Sequence, residues 1–89
     1  MIRGITKSGF EFEVSENIGD NMEMLEALND MSEKEVSGIS RVCEIALGKE
    51  QKKRLYDHVR TEDGRVPVSA INDAIGDIFE TVGKAGKNS

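Results

Sequence analysis

Between Phe10 and Val14 the chain alternates strictly: Phe10, Phe12 and Val14 are apolar, while Glu11 and Glu13 are acidic. Successive side chains on a strand point to opposite faces, so the segment predicts a β-strand with an apolar face and an acidic one. Every later apolar run repeats at three or four residues, which is the helical period. That change of period restricts the fold. A two-stranded hairpin does not survive alone in water, so its Phe face must be covered by the helices that follow. The pattern predicts an α+β domain, with an N-terminal β-hairpin packed on a small bundle of about four α-helices.

The first strand of the hairpin contains Ile2 and Ile5, and Lys7-Ser8-Gly9 supplies turn chemistry, with Gly9 free to take positive φ. Asp20 ends a loop as a candidate N-cap, and residues 21–31 read as the first helix, with Met22, Leu25 and Leu28 at three-residue spacing beside Met24 and Met31. Ser32 and Glu35 match a capping box ahead of a second helix, whose apolar face runs through Val36, Ile39, Val42, Cys43, Ala46 and Leu47. Gly38 weakens the start of that helix by about 1 kcal/mol relative to Ala, and Gly48 suits its C-terminal stop. A third, very polar helix spans Lys49 to Arg60, with Leu55, Tyr56 and Val59 inward. Pro67 opens the fourth, in which Val68, Ile71, Ala74, Ile75, Ile78, Phe79 and Val82 face inward. Asn72, Asp73, Gly76, Asp77 and Glu80 face out. Residues 1–83 read as one domain and 84–89 as a disordered tail.

Eighty-nine residues suffice for one core, and with three Phe, one Tyr and no Trp that core rests on Ile, Val, Leu and Met. The net charge of −5 disfavours nucleic acid and anionic membranes as partners. Charge is unevenly spread. Residues 10–35 hold nine acids and only Lys34 as a base, whereas residues 49–60 hold five bases and two acids. Such asymmetry is a solvated face, folds back on itself, or steers a complementary partner. The single cysteine, Cys43, excludes an internal disulfide and any multi-cysteine zinc site. No apolar run approaches a spanning helix or a signal peptide, so the expected compartment is a reducing cytoplasm.

Motifs for bond-making chemistry are absent. Around Gly64, Thr61 and Asp63 fit two positions of an EF-hand loop, but Val59 and Ala70 stand where its first and last ligands belong. His58 falls in the last turn of a polar helix, where partial positive charge suits the dipole, and Cys43 falls on an apolar stripe as a small hydrophobe. No enzyme and no cofactor are expected. Met22, Leu25, Leu28 and Met31 are the candidate partner-binding residues, because flexible thioethers adapt to varied apolar surfaces. The same side chains equally suit a core facing Phe10 and Phe12.

Toward the C-terminus the runs Leu47-Gly48-Lys49-Glu50-Gln51, Leu55-Tyr56-Asp57-His58-Val59-Arg60 and Glu62-Asp63-Gly64-Arg65-Val66-Pro67-Val68, with the ending Gly86-Lys87-Asn88-Ser89, resemble tail assembly chaperones of long non-contractile-tailed phages and prophages. The acidic Asp20–Met31 helix after the hairpin fits the same pattern. The resemblance implies a protein of the bacterial host's cytoplasm, absent from the virion, that coats the long helical tape-measure protein until tail-tube subunits polymerise around it. It also implies a longer, frameshifted form of the same chain as a partner, with Gly86, Lys87 and Asn88 encoding the slip site when written GGA-AAA-AAC. Self-association stays open. A second reading, from the charge alone, is an acidic regulatory domain that masks a basic protein surface through Glu23, Glu26 and Asp30.

Overall fold

The computed structural model describes residues 1–33 and 36–87, with Gly86 and Lys87 described by their backbone alone. Strand β1 (Ile2–Ile5) pairs antiparallel with β2 (Glu11–Val14), setting Ile2 opposite Val14 and Gly4 opposite Phe12. The buried Thr6 closes the turn. Its carbonyl accepts from the Gly9 amide at 2.9 Å, its Oγ1 accepts from the Phe10 amide at 3.1 Å, and Gly9 takes φ 92°. Phe10, Phe12 and Val14 are all buried, so the period-two reading holds. Gly4 is required for close packing: a Cβ there would stand 2.7 Å from Phe12 Cζ and 2.9 Å from Thr81 Cγ2.

Three helices follow among the described residues, α1 (Met22–Ser32), α2 (Val36–Val59) and α3 (Val68–Lys87). The expected second and third helices are the two arms of α2, which meet at a kink at Gly48. With φ 78° and ψ 165° it breaks α2 into two arms that remain one bent element. The first arm packs on α1, the second runs beside β2, and α3 packs against β1. Their apolar faces meet in one core that includes Val14, Met24, Val42, Leu55 and Ile78, each almost fully removed from water. The Cα radius of gyration, 12.6 Å, is close to the roughly 12 Å expected of a single domain of this length.

Several local expectations are corrected. The α1 N-cap is Asn21, not Asp20: Asn21 Oδ1 accepts from the Glu23 amide at 2.9 Å. Ser32 belongs to the end of α1, where its hydroxyl donates to the Asn29 carbonyl, and the partner expected for its capping box, Glu35, lies outside the described residues. Val68 is 54% exposed although it starts the apolar stripe of α3, whereas Asp77, expected outside, is largely covered by the hairpin turn. The helix also continues past residue 83 to Lys87, where a tail was expected. Asn88, the last residue of the anticipated slip site, lies outside the described residues.

Gly38 has a different role from the one its propensity implies. It is buried, and a Cβ at this position would meet the α1 backbone, 2.5 Å from Met31 N and 2.8 Å from Asp30 C. Backbone atoms cannot turn aside as a side chain can, so the two helices touch only because the side chain is missing. Gly38→Ala is therefore expected to destabilise the fold by about 2 kcal/mol, although propensity alone would favour Ala by about 1 kcal/mol. Urea unfolding followed by circular dichroism measures the sign.

Candidate partner-binding surfaces

On α1 the 100° step per residue divides the apolar side chains into two sets. Met24 and Ala27 point into the core and are fully buried, with Leu28 and Met31 half-buried beside them. Met22 and Leu25 lie on the opposite arc, 70% and 51% exposed. They line a shallow groove of about 380 Å³ with Glu26, Asn29, Asp30 and Arg41. Arg41 Nη1 donates to Asp30 Oδ2 at 2.8 Å across it, tying α1 to the first arm of α2. The four residues singled out from the sequence are thus not one surface. Met22 and Leu25 are available to a partner, while Leu28 and Met31 serve mainly to pack α1.

A second apolar depression, which the sequence reading missed, lies where both arms of α2 approach the start of α3. Val36, Ile39, Tyr56, Val66, Val68 and Ile71 line it. Most of these side chains sit on stripes that read as core, and only the fold leaves Val36 and Val68 at the rim, 72% and 54% exposed. Beside it Lys49, Lys52 and Lys53 of the second arm and Arg60 just past it line a shallow groove together with Glu44 and Asp57. Lys52 Nζ stands 5.6 Å from the Tyr56 ring centre and donates to Ser40 Oγ at 2.6 Å.

A larger hollow, about 690 Å³, is an open depression between the hairpin turn and α3. Asp77 is its anchor. Asp77 Oδ2 accepts from the Lys7 amide at 2.9 Å, and Oδ1 lies 3.3 Å from Lys7 Nζ. These contacts, the backbone bond foremost, hold the Asp77 carboxyl below its ordinary value, and the carboxylate in turn raises the Lys7 ammonium. Lys7 and Asp77 neutralise each other, and Asp73 and Glu80 are the other charged residues lining the depression. His58 and Cys43 occupy different surroundings. His58 Nε2 lies 2.9 Å from the Ser8 carbonyl and its ring is tilted on Phe10, whereas Cys43 is buried and its thiol is pushed up to about 11 by desolvation. Thr61 Oγ1 donates to Asp63 Oδ1 and accepts from the Arg65 amide at 3.2 Å, so the Asp63-Gly64 loop is closed by its own polar groups. Among the described residues no group of three or more His, Cys, Asp or Glu is placed to hold a metal, no buried side-chain polar atom lacks a partner, and no helix is long and apolar enough to cross a membrane.

Comparison with protein-family models, with curated proteins and with solved structures finds no match for this chain.

Two outcomes follow from these environments. Pairing favours the ionised Asp77 in the folded chain, so its stabilisation is complete above the ordinary carboxylate value of 3.8 and is lost as pH falls through the depressed folded value. Asp77→Asn should cost about 1 kcal/mol at neutral pH, and the gap between variant and parent should close in acid, as paired unfolding curves would record. The native Cys43 thiol should react with a disulfide reagent more than about a hundredfold slower than in the urea-unfolded chain, measured by thiolate release at pH 8.

Proposed function

We propose that this chain is a non-catalytic tail assembly chaperone that binds an apolar helical stripe of a tape-measure protein and keeps it soluble until the tail tube forms. The observation that carries the reading is the division of α1. One side is consumed by the core at Met24 and Ala27, yet the other still presents Met22 and Leu25 among carboxylates. A helix that only packed on its own domain would have polar residues there. An apolar pair set among acids suits brief contact with a partner helix: the side chains take up its stripe and the charges keep the outer face wet. The contact is small, so each copy binds weakly and many copies along one client bind well, which permits displacement by tube subunits.

The resemblance of the segments between Leu47 and Val68 to tail assembly chaperones supports the choice of client. On that reading the activity belongs to the bacterial host's cytoplasm, with the tail-tube protein and a frameshifted longer form as further partners. The competing reading, an acidic domain masking a basic protein, draws on Glu23 and Glu26, which have no ion-pair partner among the described residues. The double changes Met22→Ser/Leu25→Ser and Glu23→Lys/Glu26→Lys separate the two. Co-expression and pulldown with the tape-measure protein should lose at least about tenfold in recovery with the first and change by less than about twofold with the second. Parent recovery no greater than with a scrambled client sinks the proposal, and the reverse ranking favours the acidic mask.

A further inference from the structure

In an antiparallel pair, residues whose amide and carbonyl face the partner strand alternate with residues whose amide and carbonyl face outward. The Thr6 amide donates to the Phe10 carbonyl at 2.9 Å, so Gly4 with Phe12 and Ile2 with Val14 are the inward pairs. Arg3 and Ile5 on β1, and Glu11 and Glu13 on β2, therefore turn their peptide groups outward. Glu13 agrees, because Gln51 takes both its amide and its carbonyl at 2.8 Å. On β1 the outward row ends at Lys7, whose amide Asp77 takes at 2.9 Å. Short of that point, the amides and carbonyls of Arg3 and Ile5 have no hydrogen-bond partner among the described residues. Both residues are exposed. Beside them a groove of about 190 Å³ lies between β1 and α3, lined by Ile5, Lys7, Asp77, Glu80, Thr81 and Lys84. Such a bare edge is a template for one more strand.

Charge says which strand. The chain carries −5 overall, yet along this edge the cation is the outer member of its ion pair. The Arg3 side chain is 83% exposed against 44% for Glu13, and Lys7 is 86% exposed against 12% for Asp77. Lys84 likewise stands further out than Glu80. A second β1 laid antiparallel, with Arg3 against Ile5 of the other copy, would bring Lys7 opposite that copy's N-terminal ammonium, and like charges opposed across strands are destabilising. We infer that β1 takes up an extended acidic segment of a partner protein as a third, antiparallel strand. Arg3 and Ile5 each exchange two backbone hydrogen bonds with it, and side chains directly opposite one another share a face. An acid opposite Arg3, an apolar residue opposite Ile5 and an acid within reach of Lys7 define the segment as acid-x-apolar-x-acid, the same read in either direction. No residue of α1 takes part, so this surface stands apart from the proposed client groove.

The probe is a capped heptapeptide, acetyl-Thr-Glu-Thr-Val-Thr-Glu-Thr-amide, titrated into the isotope-labelled full chain while amide shifts and amide exchange are followed by nuclear magnetic resonance. At saturation the Arg3 and Ile5 amides should exchange at least about tenfold more slowly. N-methylation of the valine removes the donor that faces the Ile5 carbonyl, and lysine in place of both glutamates reverses the charge. Each change should weaken binding at least about tenfold. Ile5→Pro deletes an outward donor without touching a β1–β2 bond, and it should abolish the protection of Arg3. Arg3→Glu, on the solvent side, keeps the test open if the proline is not tolerated: it should bind the peptide at least about fivefold more weakly with the circular dichroism of the parent. No binding up to about millimolar peptide, binding that the N-methyl group leaves unchanged, or shifts that map away from β1 would each overturn the inference. Protection of the two amides that rises with the concentration of the chain alone assigns the edge to a second copy, and overturns it as well.

Discussion

A two-stranded sheet leaves backbone donors and acceptors on both outer edges, and the stability of this domain depends on how the helices answer them. At β2 the answer is a side chain. Gln51 Oε1 accepts from the Glu13 amide at 2.8 Å, and Gln51 Nε2 donates to the Glu13 carbonyl at 2.8 Å. The carboxamide thus pairs with one residue of the strand much as a neighbouring peptide group would. The same Nε2 reaches back to the Leu47 carbonyl at 2.8 Å, across the Gly48 break. One amide therefore joins the edge of the sheet to the bend of α2, which lets the first arm cover α1 while the second, with Leu55 fully buried, covers the Phe face. The hairpin turn is held from the other side, by Asp77 of α3.

The parts of this arrangement that are local were legible in the sequence. The Phe10–Val14 alternation and the stripe Ile71, Ala74, Ile75, Ile78 specified their buried faces correctly, since period alone decides which side of an element carries apolar groups. Gly48 was read as a stop because a glycine with positive φ ends most helices. That stop, and the new helix from Lys49, match the kink in α2; what the sequence did not reveal is that Gln51 ties the two arms together. The role of Gly38 was invisible for a related reason. Helix propensity describes an isolated helix, whereas this glycine answers to the α1 backbone, eight residues or fewer away in sequence but met only after the chain has turned.

The candidate surfaces were half legible. Met22, Leu25, Leu28 and Met31 form a regular three-residue series, and a series at i, i+3, i+6, i+9 drifts around a helix by 60° at each step. Over three steps the drift carries the stripe from solvent into the core, so its two ends have different environments. Four-residue steps mixed with three-residue ones would have kept it on one face. The Tyr56 cleft gave no signal, because its walls come from both ends of α2 and from the segment before α3, and each of those residues reads as ordinary interior in its own element.

The placement of Met22 and Leu25 has a consequence for how the molecule behaves in bulk. Large apolar groups left outside a domain are tolerated when like charge keeps molecules apart, and this chain relies on its surplus of carboxylates for that. The surplus vanishes near the isoelectric point of about 4.8. Mild acid thus removes the repulsion at a pH where the Asp77 pairing is still complete, which leaves Met22 and Leu25 least protected against association there.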